Sequence, residues 1–266
     1  MAKKTTKKKS KPSLKKPGVP SKPKEEQKKN KPHPWRLCPS GEHWVRSHPL
    51  HVPPSKTHTE GWVTTRGAHC ALNPSRKDHL YPHEIEEMSK LKLKKAKKKP
   101  CPINLGFGDL GTKYDDLIAG WVQYWNDIFG PKDPLDPNLV KALIATESSF
   151  EKNALANKKN QKSARGLMQV TDSTRKILGD EKGELKDHFI SITRKELNDP
   201  STNICAGVRW LFQKRKLASP KSGREANWED VIYKYKGCDT VSPDQAKDIM
   251  KKFQKKLSEL KKCAKK

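Results

Sequence analysis

The sequence predicts a mainly α-helical domain that follows a disordered Lys-rich tail and a small Pro/His-rich module. Three observations support this fold class. Residues 1–34 contain thirteen Lys and almost no apolar side chains. From about residue 100, apolar residues recur at helical spacing, and no convincing strand pattern appears. We therefore predict a basic tail at 1–34, a module at 35–88, a basic linker at 89–99 and a helical domain at 100–262.

The net charge of +27 is concentrated in three segments of the chain. Residues 1–34, 90–99 and 251–266 carry +11, +7 and +7, which leaves only +2 for the remainder. Lys-rich segments attract anionic polymers in a salt-sensitive way, so a nucleic-acid-binding protein is one hypothesis. The tails lack interleaved aromatic residues, which disfavours nucleic acid as the partner.

The tail is too poor in apolar residues to fold on its own. No run of 7–15 apolar residues follows it, so no signal peptide is predicted. No stretch approaches the ~20 apolar residues of a transmembrane helix.

The module at 35–88 contains two similar runs, HWVRSHP at 43–49 and GWVTTRGAHC at 61–70. Each joins Trp-Val to His through a short polar stretch, and together they predict a module that contains a hairpin. The segment KDHLYPHEIEEM (77–88) predicts a turn that leads into a short helix.

The same module holds Cys and His side chains of the types that bind zinc. The candidates for a structural zinc site are Cys38, His43, His48, His69 and Cys70. The paired-cysteine spacing of strong zinc motifs is missing, which favours a module without metal. We expect no cofactor for the helical domain. The six cysteines of the chain suit either three disulfides or reduced thiols.

Six segments are predicted to be the helices of the domain that follows. The predicted helices lie at 113–129, from Asp136-Pro137 to about Ser149, from Asp172 to Gly179, from Asp199-Pro200 through Leu217, at 228–235 and from Ala246 to Leu260. Asp136 and Asp199 are predicted N-caps, each followed by a Pro at the first helical position, and Asp172 is a predicted N-cap of the helix that ends at Gly179.

The second of these helices ends in LVKALIATESSF, which places Glu147 on the same face as Val140, Leu143 and Ile144. An apolar surrounding disfavours the charged carboxylate and would raise the pKa of Glu147. A carboxylic acid that stays protonated near neutral pH can donate a proton to a glycosidic oxygen. The alternative is a glutamate at a helix end that reaches solvent.

Four motifs then follow one another over roughly 100 residues. They are Glu147-Ser-Ser-Phe150, Gly166-Leu-Met-Gln169, Asn203-Ile-Cys-Ala-Gly207 and Tyr235-Lys236. In this order they resemble the catalytic domain of soluble-type lytic transglycosylases, which has a lysozyme-like fold, over about residues 110–240. The chain departs from the family pattern in three places: a longer and more basic loop NALANKKNQKSA, Ala156 in place of a serine, and Lys236 in place of an asparagine.

The resemblance implies that Glu147 is the single catalytic acid and base. It implies that Met168 and Gln169 face a saccharide groove, and that Tyr235 forms a hydrogen bond near the catalytic carboxylate. For Met168 and Tyr235 the alternative is an ordinary core residue. Asn203 and Gly207 are expected to serve helix packing.

The implied substrate is peptidoglycan, cleaved at its MurNAc–GlcNAc β-1,4 bond to leave 1,6-anhydroMurNAc ends. A lysozyme-type hydrolase on the same fold and a non-catalytic cell-wall-binding protein remain alternatives. The Lys-rich tails are then expected to contact anionic wall polymers or a membrane surface. Without a signal peptide, delivery to the cell wall or periplasm of a bacterium would depend on lysis, a phage or a dedicated secretion machine.

Overall fold

The computed structural model describes residues 35–57, 59–219 and 224–263. The tail predicted to be disordered, residues 1–34, lies outside these residues. The prediction of a mainly helical fold is confirmed. The helices are α1 (Pro82–Leu91), α2 (Leu110–Lys113), α3 (Asp115–Phe129), α4 (Pro137–Glu147), α5 (Asp172–Gly179), α6 (Pro200–Ala218), α7 (Trp228–Tyr235) and α8 (Pro243–Cys263). Short 3₁₀ helices lie at Leu93–Lys95, Glu196–Asn198 and Cys238–Thr240.

The strands are short and pair in twos. They are β1 (Glu42–Val45), β2 (His48–Val52), β3 (Trp62–Arg66), β4 (His69–Leu72), β5 (His79–Leu80) and β6 (Phe189–Ile190). β1 pairs with β4 and β2 with β3, both antiparallel, so the two similar sequence runs supply the paired strands of the predicted module. β5 pairs in parallel with β6, which the sequence did not predict.

The core centres on α3, whose aromatic residues are buried against α6. Trp121 and Trp125 have no exposed surface. Each indole nitrogen donates a hydrogen bond to α6, from Trp121 to Ser201 Oγ at 2.8 Å and from Trp125 to the Cys205 carbonyl at 3.1 Å. A buried indole needs such an acceptor, so these bonds fix how α3 lies on α6.

Local signals at the start of α4 and α6 act as predicted. The Asp136 side chain accepts from the Asn138 amide at 2.8 Å, and the Asp199 side chain accepts from the Thr202 amide at 2.8 Å. Each bond satisfies an amide that the helix itself leaves without an acceptor.

The predicted cap of α5 is wrong by one residue. Thr171 caps this helix by accepting from the Thr174 amide at 3.1 Å. Asp172 instead forms ion pairs with Arg175 and Arg194, at 2.8 Å and 3.1 Å. The two guanidinium groups compete successfully for its carboxylate because they make charge-assisted bonds.

The predicted boundaries at 88 and 99 do not separate parts of the structure, since the described residues between 35 and 263 belong to one compact unit. α1 packs against α6, and Leu93 is buried against Gly120 of α3, where any side chain would overlap it. Three lysines of the expected linker form ion pairs at the surface, Lys90 with Glu86, Lys98 with Asp136 and Lys99 with Asp116. The segment 89–99 is therefore part of the core, with its charges turned outward.

Two disulfides cross the described part of the chain. Cys38 pairs with Cys70 inside the strand pairs, and Cys101 pairs with Cys263 at the end of α8. Cys205 and Cys238 are buried free thiols. Among the described residues, no helix is long and apolar enough to span a bilayer.

Candidate active site

Glu147 is the last residue of α4, and the chain reverses direction immediately after it. The Ser148 hydroxyl contacts two main-chain carbonyls, those of Ile144 at 3.2 Å and Leu167 at 2.8 Å. Ser149 and Phe150 follow with φ of 53° and 63°, in the left-handed region, and the Phe150 ring is fully buried. The buried ring and the Ser148 bonds hold this strained turn in place, so the position of Glu147 is fixed.

The Glu147 side chain lies at the edge of the core. Its apolar neighbours on α4, including Leu143 and Ile144, are fully buried, whereas the Glu147 side chain is 17 % exposed. The carboxylate is thus close to the core and still open to a substrate. This environment lies between the two alternatives that the sequence allowed, an apolar surrounding and a helix end that reaches solvent. This is the partial exposure that proton transfer to an incoming group requires.

The Gly-Leu-Met-Gln turn is held by the buried side chain of Asn203 on α6. Asn203 Oδ1 accepts from the Met168 amide at 2.8 Å, while Nδ2 donates to the carbonyls of Arg165 at 3.0 Å and Leu197 at 2.9 Å. Gly166 has φ of 74° and lies so close to Asn203 that a side chain there would overlap it. Asn203 therefore supports the turn, in agreement with its expected packing role.

The prediction that Met168 faces a saccharide groove is wrong for this structure. Its side chain has no exposed surface. It occupies the space left by Gly207 of α6, where an added Cβ would overlap the Met168 sulfur. Met168 is a core residue because the helix approaches the turn closely at this glycine, and that approach cannot be read from the motif alone.

Gln169 keeps part of its side chain exposed and is held in the left-handed region with φ of 49°. Its Nε2 donates to the Gly166 carbonyl at 2.9 Å and to the Ala154 carbonyl at 3.3 Å. Its Oε1 accepts from no group among the described residues. Gln169 therefore presents an acceptor at the surface while its nitrogen braces the turn.

Tyr235, at the end of α7, donates from its hydroxyl to the Met168 carbonyl at 2.7 Å. The described hydrogen bonds thus link it to the turn, and none of them joins it to the Glu147 carboxylate itself. Burial raises the pKa of Tyr235 well above its ordinary value, and the negative charge of Glu147 raises it further. Tyr235 therefore stays neutral and remains a donor.

Lys236 is the functional neighbour that the sequence reasoning passed over. Its Nζ forms an ion pair with Glu147 Oε1 and also contacts Thr146 Oγ1 at 3.2 Å. The Lys236 side chain is only 6 % exposed. The departure from the Tyr-Asn pattern was the available signal, because a lysine beside a motif tyrosine brings a charge to the site that asparagine lacks.

The alternative of a structural zinc site, which the sequence disfavoured, loses its two candidate sulfur ligands. Cys38 and Cys70 are joined in a disulfide, so neither sulfur is the thiolate that zinc binds. His43 bonds through Nδ1 to the Asn73 side chain at 2.8 Å.

One other group of metal-ligand types occurs among the described residues: Asp78, Asp187 and His188. Protein donors already serve Asp78, which pairs with the Arg36 guanidinium and accepts from the Gly41 amide at 2.6 Å. Burial raises the pKa of Asp78, but this amide and the charge of Arg36 outweigh burial and lower it overall. The carboxylate is therefore balanced by a protein cation.

Residues 129–256 match the family model described as the Transglycosylase SLT domain. The matched range contains all four motifs, from Glu147 to Tyr235 and Lys236. Neither the curated proteins nor the solved structures include a significant match to the chain.

Proposed function

We propose that this chain is a peptidoglycan lytic transglycosylase, because residues 129–256 are a transglycosylase SLT domain. This domain belongs to the lysozyme-like superfamily, which cleaves cell-wall glycan. The bond cleaved is the MurNAc–GlcNAc β-1,4 link, and the product carries a 1,6-anhydroMurNAc end. One observation carries the proposal: Glu147 is a partly exposed carboxylate at a fixed helix end, inside the matched domain and in contact with Lys236 of the last motif.

The reaction uses Glu147 twice. As a carboxylic acid it gives its proton to the glycosidic oxygen, and the bond between that oxygen and C1 of MurNAc breaks. The N-acetyl group of the substrate stabilises the oxocarbenium-like state. The Glu147 carboxylate then takes the proton of the C6 hydroxyl, whose oxygen closes onto C1. Acid and base are regenerated, and no water is consumed.

The single carboxylate of the motifs favours this route over ordinary hydrolysis. Most glycosidases place two carboxylates on either side of the bond. No second acidic residue belongs to the four motifs, and the substrate itself supplies the nucleophile in the transglycosylase reaction. A lysozyme-type hydrolase on the same domain is the second candidate, and the two differ in their products.

The contacts of the Gly-Leu-Met-Gln turn are assigned to substrate binding and not to proton transfer. Tyr235 and Asn203 hold the Gly-Leu-Met-Gln turn from two sides, through the Met168 carbonyl and the Met168 amide. The turn presents the free acceptor of Gln169. We assign Gln169 to binding of the glycan and Tyr235 to positioning of the turn.

Replacing the proton donor tests the proposal. Glu147→Gln keeps the size of the side chain and an oxygen that accepts from Lys236, but it cannot donate a proton as an acid. We expect cleavage of purified peptidoglycan to fall by roughly 10²–10⁴, the usual contribution of a positioned general acid and base. The measurement is dye release from labelled sacculi with equal amounts of folded protein.

The matched control is Glu229→Gln, because Glu229 is exposed in the first turn of α7, at the opposite end of this helix from Tyr235. This variant should keep wild-type activity. A folded Glu147→Gln protein that retains most of its activity would overturn the assignment of Glu147.

A further inference from the structure

A cavity of about 340 Å³ lies between the end of α3, the second half of α6 and the segment 186–188. None of the residues that line it belongs to the four motifs. Its apolar wall includes Phe129 and Phe212, whose rings stack with centroids 4.9 Å apart. The Phe129 ring is 37 % exposed, although the other aromatic residues of α3 are buried. This volume and this lining are typical of sites for small ligands.

Arg209 of α6 supplies a buried cation to this cavity. The residue is 4 % exposed, and its guanidinium lies 4.9 Å from the centroid of the Phe129 ring. Nε and Nη2 donate to the carbonyls of His188 and Asp187, at 3.0 Å and 3.1 Å. Within the described part of the chain, Nη1 donates no hydrogen bond and the guanidinium forms no ion pair. Burial lowers the pKa of Arg209 to about 10, with the Asp187 charge acting in the opposite direction, so the group stays cationic.

Gln213 lies one helical turn further along α6, on the same face as Arg209, and is also 4 % exposed. Its side-chain amide has no hydrogen-bond partner among the described residues. Neither the nitrogen nor the oxygen of this amide is sealed from solvent, and Gln213 lines the cavity. The amide therefore opens into the cavity with its donors and its acceptor unused, which is costly for a buried polar group unless a ligand pairs with it.

The other charged side chains around the cavity favour a negatively charged ligand. Arg215 and Glu225 are paired with each other at 3.3 Å. Lys186 and Lys216 are exposed at the cavity and add two positive charges to that of the buried guanidinium. Asp187 contributes one negative charge. The balance is positive, so the cavity attracts an anion.

We propose that this cavity binds the carboxyl end of a short peptide with small apolar side chains. The Arg209 guanidinium binds the terminal carboxylate, and the Gln213 amide donates to and accepts from the last peptide group. The rings of Phe129 and Phe212 contact the apolar side chain. The inference does not rest on the proposed function, because no motif residue takes part. The peptides of peptidoglycan carry such an end in the D configuration, and ordinary proteins carry it in the L configuration.

The test is isothermal titration calorimetry of the full chain with two acids, N-acetyl-D-alanyl-D-alanine and N-acetyl-L-alanyl-L-alanine, and with the C-terminal amide of each. We expect an acid to bind roughly tenfold or more tightly than its amide, because the neutral amide loses the charge-assisted bonds to the guanidinium. The acid that binds more tightly identifies the source of the peptide. If neither acid binds, or if acid and amide bind equally, the proposal is overturned.

Gln213→Leu separates binding from folding, since it keeps the size of the side chain and removes an amide that has no partner in the described chain. Its affinity for the acid should fall roughly fivefold or more, while its free energy of unfolding should not fall. Arg209→Met should abolish binding, and Gln213→Leu carries the test if that variant does not fold. The matched control is Gln254→Leu at an exposed position of α8, which should bind as the wild type does. Wild-type affinity in folded Gln213→Leu would contradict the proposed site.

Discussion

His79 on β5 is a buried imidazole whose two nitrogens both have partners. Its Nδ1 bonds to Glu181 at 3.0 Å, and its Nε2 bonds to the Ser191 hydroxyl at 2.7 Å. Burial lowers the pKa of His79 below its ordinary value of 6.5, although Glu181 acts in the opposite direction. The native protein therefore favours the neutral ring at this position.

This pKa shift predicts how stability depends on pH. Because the folded protein binds the His79 proton more weakly than the unfolded chain does, the free energy of unfolding increases with pH across this window. The contribution is complete above about pH 6.5, and it is lost as the pH falls towards the lowered pKa. We expect His79→Gln, measured by urea unfolding, to depend less steeply on pH between about 7.5 and about 5 than the wild type.

His188 also has a pKa lowered first by burial, so the wild-type slope contains a second contribution that His79→Gln leaves in place. The prediction therefore concerns the difference between variant and wild type. Equal slopes for the two proteins would show that His79 does not change its proton affinity on folding.

At the residue scale, the sequence was informative where a role depends on a local motif. Glu147 was found from its helix face and its neighbours, and its helix end is where the pattern placed it. The burial of Met168 and the contact of Lys236 with Glu147 could not be predicted. Both depend on residues 39 and 89 positions away, Gly207 and Glu147, that meet only in the folded chain.

At the scale of elements, the Asn203 side chain of α6 holds the Gly-Leu-Met-Gln turn in place. Asn203→Ala would leave two buried main-chain groups without partners, the Met168 amide and the Leu197 carbonyl, whereas the Arg165 carbonyl would keep its bond from the Val170 amide. Each group left without a partner costs about 1–3 kcal/mol, so we expect a loss of roughly 2 kcal/mol or more in the free energy of unfolding. Urea unfolding measures this loss, and cleavage activity should fall with it.

The matched control is Asn227→Ala, which removes only the exposed N-cap of α7 and should cost about 1 kcal/mol. If Asn203→Ala costs no more than this control, the turn is held by other contacts and the assigned role of Asn203 is incorrect.

Helices were predictable to within a few residues because their signals are local. The caps of α4 and α6 are encoded by an Asp-Pro pair at each start. β6 was missed because it is two residues long and is defined by its pairing with β5, more than a hundred positions earlier. A strand of this kind leaves no period-2 pattern in the sequence.

At the scale of the whole molecule, several described residues between 35 and 99 contribute side chains to the core of the helical domain. The Trp35 indole donates to Asp127 of α3 at 2.6 Å, and Ile85, Met88 and Leu93 are almost completely buried. The composition of 89–99 suggested a linker because lysines dominate it, whereas its two buried apolar residues, Leu93 and Ala96, decide where it packs. The composition of a segment indicates its charge, but it does not indicate that a single Leu within the segment is buried.

Two truncations test this integration. A chain that starts at residue 35 should unfold cooperatively at the wild-type temperature and cleave soluble glycan fragments at the wild-type rate. It should bind whole sacculi more weakly and with less dependence on salt, because it lacks the +11 charge of residues 1–34. A chain that starts at residue 100 should lose cooperative unfolding, since the apolar surfaces of α3 and α6 become exposed.

Thermal unfolding followed by circular dichroism compares the two truncated chains with the full chain. A cooperative transition at the wild-type temperature for the shorter chain would contradict the integration of residues 35–99 into the core. A loss of activity on soluble fragments in the longer chain would instead place the tail in the catalytic unit.

The central claim, that Glu147 drives an intramolecular ring closure on peptidoglycan, is tested most directly by the mass of the products. Purified sacculi are digested with the wild-type protein and with Glu147→Gln, and the released muropeptides are analysed by mass spectrometry without prior reduction. We predict that the wild type releases 1,6-anhydro ends, each one water lighter than a reducing end, and that the variant releases almost none. Reducing ends alone from the wild type would contradict the transglycosylase reaction and identify a hydrolase, and abundant anhydro ends from the variant would exclude Glu147 as the acid and base.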